Sequence, residues 1–195
     1  MIAIIDYGAG NTKSVMNALD RLQARYKLTN DISELQAADK IILPGVGNAK
    51  PAMDALDKCG LSNIISTLQQ PLLGICLGMQ LLFEYTEEGD TKCLNIVPGS
   101  IRKFANTTNP VPAMGWNTVK HNGSGIFKNI ANDSHFYFVH SYYAQVQELI
   151  IATTTYDIRY GVAVHYKNFY GVQFHPEKSG AAGSQLLANF INLKS

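Results

Sequence analysis

The chain is short of charge and of charge imbalance. Only 16% of its 195 residues are charged, and 16 basic side chains offset 15 acidic ones to leave a formal net charge of +1. Such a balance gives no electrostatic footprint for a polyanion, so neither nucleic acid nor an anionic membrane surface is an expected partner. No apolar run approaches the roughly 20 residues that span a bilayer, so no membrane helix is expected. Cysteine is scarce: Cys59, Cys76 and Cys93 are the only three, at irregular spacing. They form no CxxC pair and no metal-ligand spacing, and an odd number argues against a disulfide framework. A cytoplasmic, reducing compartment is therefore expected. Internal repeats, low-complexity runs, Pro/Ser-rich linkers and a Walker sequence are all missing. Residues 1–195 read as one domain, and no metal or cofactor is expected. Met1-Ile2-Ala3-Ile4-Ile5-Asp6 has no basic flank or cleavage site and reads as a strand, not a signal peptide.

The first half alternates strand and helix signals. Short apolar runs at Ile2 to Ile5, Lys40 to Leu43 and Pro71 to Ile75 read as buried strands, with a weaker one at Tyr26 to Thr29. Helices are expected from Asn11, over Ala49 to Asp57, Leu61 to Leu68 and Leu77 to Tyr85. That rhythm predicts an α/β fold with a central, mostly parallel sheet and helices on both faces. Between about Asn95 and Tyr156 the strand signals are separated by Gly, Pro and Asn turns, at Gly99 to Phe104, Asn117 to His121, Phe136 to Val139 and Leu149 to Thr155. These predict antiparallel additions at an edge of the sheet. A hairpin is expected from Val162 to Phe174, turning at Lys167-Asn168, and a closing helix from about Gly183 to Leu193.

Gly74-Ile75-Cys76-Leu77-Gly78 has the glycine-x-nucleophile-x-glycine form, after a strand and before a helix. The turn is so tight that side chains at the glycines would clash with strand and helix. The residue between them is strained and pushed out of the sheet's carboxyl edge. A free thiol ionises near pH ~8.5, and the positive end of the following helix is expected to favour the thiolate. The backbone N–H of Leu77 is then the natural oxyanion donor. The plain alternative is a buried core cysteine.

A thiolate needs an acid–base partner. Of five histidines, His175 ends the apolar run Tyr170 to Phe174, and Glu177 two residues on can orient its ring. An ordinary strand-terminating turn is the alternative. His165 reads as a sheet residue, His121 and His135 as exposed loop residues, and His140 as a residue at a site edge. Pro44-Gly45-Val46-Gly47 follows a strand and can supply a second oxyanion donor, from Val46 or Gly47; a plain turn is the alternative. Asp6-Tyr7-Gly8-Ala9-Gly10-Asn11 lacks the third glycine of a dinucleotide fingerprint, since Lys13 stands there.

Gly74-Ile75-Cys76-Leu77-Gly78-Met79-Gln80, taken with Gly171-Val172-Gln173-Phe174-His175-Pro176-Glu177, resembles the class I (triad) glutamine amidotransferases. Asp6-Tyr7-Gly8-Ala9-Gly10-Asn11, Pro44 to Gly47, Met114-Gly115-Trp116-Asn117, Phe138-Val139-His140-Ser141-Tyr142 and His175-Pro176-Glu177-Lys178-Ser179 resemble the glutaminase subunits of imidazole glycerol phosphate synthases. The resemblance implies the class I amidotransferase fold and a Cys76-His175-Glu177 triad that releases ammonia from glutamine. It implies Gln80, Ser141 and Tyr142 as substrate contacts and Val46, Gly47 and Leu77 as the oxyanion site. It also implies a (β/α)8-barrel cyclase partner in a heterodimer, met through Asn11, Met114, Trp116, Asn117, Tyr137 and Lys178. The cyclase would make imidazole glycerol phosphate, for histidine synthesis, and a purine-pathway carboxamide ribotide. On residue type alone, Trp116 reads as a core aromatic. Ala113 departs from the family, which usually has His there; a related synthase, such as one amidating a surface sugar, is the alternative that this departure leaves open.

Overall fold

The computed structural model describes residues 1–105, 108–123 and 125–193. Its first half is built on four strands: β1 (Ile2–Ile5), β2 (Tyr26–Thr29), β3 (Lys40–Gly45) and β4 (Leu72–Cys76). β1, β3 and β4 are buried along their whole length, as apolar runs without alternation require when both sheet faces are covered. The helices between them are α1 (Thr12–Arg21), α2 (Ile32–Ala37), α3 (Ala49–Lys58), α4 (Ser62–Ile65) and α5 (Leu77–Leu81). Asn11 caps α1, its side chain accepting from the Ser14 N–H at 3.3 Å. α2 has no counterpart in the sequence reading; Asp31 starts it by accepting from the Glu34 N–H at 3.0 Å.

The second half adds β5 (Phe83–Thr86), β6 (Thr91–Lys92), β7 (Val97–Lys103), β8 (Ala113–His121), β9 (Ser134–His140), β10 (Tyr142–Ala144), β11 (Ile150–Tyr156), β12 (Ile158–Tyr166) and β13 (Phe169–Val172). The closing helix is α6 (Gly180–Ile191). The strands run in the order β2-β1-β3-β4-β13-β12-β10-β7-β5-β6, with β11 joining β12 to β8 and β8 paired with β9. β2, β1, β3, β4 and β13 are mutually parallel. The additions beyond them are antiparallel apart from the β5–β7 pair.

Strand alternation sends successive side chains to opposite faces. Ile5, Leu43 and Leu72 pack on one side with Leu35 of α2 and Met53 and Leu56 of α3. Ile4, Ile42 and Leu73 pack on the other with Val15 and Leu19 of α1 and Leu186 and Phe190 of α6. The carboxyl ends of β3, β4 and β13 therefore open between two helical layers, with Cys76 at the end of β4.

Two expectations need correction. The helix after Cys76 ends at Leu81, not Tyr85, and Phe83 to Thr86 is strand β5. Phe, Tyr and Thr favour a pleated surface, and β5 buries Phe83 and Thr86 in register with Val97 and Ile101 of β7. His121 and His135 lie on β8 and β9, not on loops; His121 stacks on Phe127 with ring centroids 4.6 Å apart. The hairpin forms as expected, with Lys167 at φ +55° in its turn.

Candidate active site

Cys76 joins β4 to α5 at φ +54°, ψ −110°. A non-glycine residue held there costs about 1–3 kcal/mol and survives only where its surroundings enforce it. The enforcement is steric. A Cβ at Gly78 would lie 2.0 Å from the Leu43 carbonyl oxygen, and one at Gly74 would lie 2.6 Å from the Gly78 oxygen. Strand and helix can therefore meet this closely only through glycine. α5 is five residues long, so its dipole is a smaller aid to a thiolate than the sequence suggested. The nearer influences are one side chain and one backbone carbonyl. Gln173 Nε2 donates to Cys76 Sγ at 3.8 Å, and Sγ lies 3.8 Å from the Val139 carbonyl oxygen.

His175 follows β13, the strand beside β4. Its Nδ1 donates to Glu177 Oε1 at 2.8 Å, the two side chains being 2% and 1% exposed. The backbone is pinned on both sides. His175 N–H donates to the Tyr137 carbonyl at 2.9 Å, and Ser179 Oγ donates to the His175 carbonyl at 2.6 Å. His175 Nε2 is buried with no hydrogen-bond partner of its own among the described residues, and it lines the same cavity as Cys76. Burial pushes the imidazole pKa down. The Cys76 sulfur and the Glu177 carboxylate together outweigh that and raise it to about 9. A sulfur, an imidazolium and a carboxylate in this order can attack a carbonyl carbon and protonate a departing amine.

The cavity holds about 330 Å³ and is lined by Val46, Gly47, Leu77, Gln80, Ser141 and Tyr142 beside Cys76 and His175. All the residues expected to form the oxyanion and substrate sites are thus gathered around one sulfur. Gly47 sits at φ +89°. Gln80 Nε2 donates to the Tyr142 carbonyl at 3.2 Å and to Gln173 Oε1 at 2.8 Å. Tyr7 donates its hydroxyl to the Pro44 carbonyl at 2.8 Å, at the start of the glycine loop. Burial first, and the Cys76 charge second, push its phenol far above the ordinary range.

The sequence reading missed Glu88 and Gln173 here, and it placed His140 at the site edge, where it lines the cavity. Glu88 lines the cavity; burial raises its pKa, and a 2.8 Å hydrogen bond from the Ala49 N–H partly offsets that. His140 Nδ1 and Nε2 contact the Tyr142 carbonyl at 2.7 Å and the Tyr160 hydroxyl at 3.0 Å. Burial lowers its pKa to about 4, so it is neutral at neutral pH. Gln173 is fully buried. An amide inside the apolar run Tyr170 to Phe174 was its signal; Glu88 carries no comparable signal.

Beside the cavity lies an exposed apolar patch. Met114 is 65% and Trp116 56% exposed, which corrects the core reading of Trp116. Trp116 meets the Tyr137 ring edge-on at 6.0 Å, and Lys178 Nζ lies 5.9 Å from the Tyr137 centroid. Asn117 Nδ2 donates to the Thr155 carbonyl at 3.0 Å. Asn11 is engaged in capping α1. Ala113 is buried and pairs with His140, so the exposed patch does not include it. Among the described residues no helix is long and apolar enough to cross a membrane, and no three His, Cys, Asp or Glu side chains cluster as metal ligands would.

Residues 3–193 match the family model for class I glutamine amidotransferases. The imidazole glycerol phosphate synthase subunit HisH of Mannheimia succiniciproducens is 48% identical over 189 residues, 96% of this chain and 97% of that protein. The HisH subunit of Bacteroides fragilis strain YCH46 is 46% identical over 194 residues, 98% of this chain and 99% of that one. Among solved structures, PurLQS from Thermotoga maritima superposes with a TM-score of 0.71 at 15% identity, covering 98% of this chain and 97% of the matched one. The last match speaks to the fold alone. Fold, site geometry and near full-length identity together place the chain in the class I glutamine amidotransferase family, on its HisH branch.

Proposed function

We propose that the chain hydrolyses glutamine in the cytoplasm and hands the ammonia to a (β/α)8-barrel cyclase in a heterodimeric imidazole glycerol phosphate synthase. The cyclase would use it to form imidazole glycerol phosphate and the purine-pathway carboxamide ribotide of histidine biosynthesis. The observation that carries the reading is Cys76 at φ +54°, its sulfur in one cavity with a buried His175–Glu177 pair.

In the first step Cys76 Sγ attacks the side-chain carbonyl carbon of glutamine. Negative charge gathers on the carbonyl oxygen, where backbone N–H groups of Leu77 and of Val46 or Gly47 receive it. His175 Nε2 gives its proton to the departing nitrogen, the C–N bond breaks, and a glutamyl thioester and ammonia result. Water then attacks the thioester, losing a proton to His175; the C–S bond breaks and glutamate leaves. Glu177 keeps Nε2 toward the reacting atoms and stabilises the imidazolium. Gln80, Ser141 and Tyr142 hold the amino acid, and the Glu88 carboxylate suits its α-ammonium group.

Ammonia released into water would be protonated at neutral pH and lose its lone pair. A covered exit is therefore needed, and the patch supports one. Val139 and His140 line the cavity, and β8 places Met114 and Ala113 directly opposite them. Met114, Trp116, Asn117, Tyr137 and Lys178 would form the interface, an exposed Trp and Met being typical anchors. Asn11 belongs to this set through the family resemblance; its contact in the free chain is the α1 cap.

The test is co-purification with a (β/α)8-barrel partner and a glutaminase assay with and without it. Stimulation by the ligand-loaded barrel is expected. In the complex, Cys76→Ala should lose glutamine-dependent synthesis and keep ammonia-dependent synthesis. Full glutaminase activity of the chain alone would contradict the partner reading.

A further inference from the structure

We infer that Gln173 is a positioning residue that biases Cys76 toward its thiolate and orients the amide of Gln80. The inference rests on the glutaminase reading of the cavity but not on its outcome with any partner. The Val139 carbonyl, 3.8 Å from Sγ, can only accept and so favours the thiol. The Gln173 Nε2–H group, also 3.8 Å away, can only donate and so favours the thiolate. A donor to an ionised acceptor outweighs a neutral contact. The titratable groups that interact with the sulfur are His175 and Tyr7; the five-residue α5 adds little dipole, and the fully buried Gln173 amide is a fixed neutral donor to it.

The direction of the Gln173 amide follows from its neighbours. Gln80 Nε2 faces two oxygens, the Tyr142 backbone carbonyl at 3.2 Å and Gln173 Oε1 at 2.8 Å. A backbone carbonyl cannot donate. Turning the Gln80 amide over would set oxygen against oxygen, so its nitrogen must stay toward Tyr142. Gln173 must then offer its oxygen to Gln80, which leaves its nitrogen for the sulfur. One main-chain carbonyl thus sets the polarity of a chain that runs from Tyr142 through Gln80 and Gln173 to Cys76. With its nitrogen committed in this way, Gln80 presents Oε1 as an acceptor to a bound amino acid.

The test is peptide-resolved alkylation of the full chain by iodoacetamide across the neutral to alkaline range, for wild type, Gln173→Met and the isosteric Gln173→Glu. Cys59 serves as the internal control. At neutral pH, Cys76 alkylation should slow about tenfold in Gln173→Met, with its pH profile moved upward by about one unit. Gln173→Glu should stay closer to wild type at neutral pH, because burial and the neighbouring sulfur keep its carboxyl protonated and able to donate through O–H. The Cys59 profile should be unchanged. A folded Gln173→Met whose Cys76 profile superposes on wild type overturns the inference, even if glutamine is turned over normally. A shifted profile in a protein that hydrolyses no glutamine with any barrel upholds it and sinks the glutaminase reading instead.

Discussion

Replacing Glu177 by Gln removes one charge from the buried pair at nearly constant volume. The 2.8 Å bond to Nδ1 then becomes neutral, and the imidazolium loses the counter-charge hydrogen-bonded to it. A hydrogen bond to a charged group contributes about 1.5–3 kcal/mol, and one pH unit corresponds to about 1.4 kcal/mol, so the His175 pKa should fall by about 1–2 units. The starting point is about 9, with burial already pressing downward. The sign follows from the chemistry. The protonated imidazole is the acid that expels ammonia, so kcat/KM should fall as pH rises through about 9 in the wild type. In Glu177→Gln that alkaline limb should move to about pH 7–8. kcat should also drop by roughly 10²–10⁴, since an amide can hold the ring in the wrong tautomer. The assay is the pH profile of glutamine hydrolysis by the barrel complex. A folded variant whose alkaline limb stays at its wild-type position would refute the electrostatic role given to Glu177.

Gly78→Ala should destabilise the fold by about 3 kcal/mol or more, because the new methyl would lie 2.0 Å from a backbone oxygen that cannot rotate away; urea unfolding measures it, and wild-type stability would contradict the packing of α5 on β3. Trp116→Ala should leave the melting temperature near that of wild type and weaken barrel binding by about 2 kcal/mol, roughly 30-fold, as read by titration calorimetry. Unchanged affinity would remove Trp116 from the interface. Cys93 should resist iodoacetamide at pH 8 under conditions that label Cys76, since burial first and Glu88 second push its thiol up to about 12; equal labelling of the two would contradict that.

What could be read from the sequence was what short-range sterics dictate. Gly74 and Gly78 reveal a close strand–helix approach in either direction of reasoning, and His175 and Glu177 are near enough in the chain for their pairing to be inferred. The apolar runs of β1, β3 and β4 revealed a doubly covered sheet because partial cover would have left alternation. Long-range contacts were not legible. Glu88 reaches the Ala49 N–H across 39 residues, and Gln173 reaches Cys76 across 97. Leu81-Leu82-Phe83 fits a buried strand as well as a helix face, so the early end of α5 needed its tertiary partners. The exposure of Trp116 likewise follows from which face of β8 is uncovered, a property of the sheet and not of the residue.

Nucleophilic catalysis by Cys76 requires a covalent bond between its sulfur and the side-chain carbonyl carbon of glutamine. Acid quenching of the barrel complex during turnover, followed by peptide mapping, tests it most directly. A glutamyl adduct confined to the Cys76 peptide and absent from Cys76→Ala is expected. Glutamine turnover at the wild-type rate by Cys76→Ala, or an adduct on another residue, would contradict it.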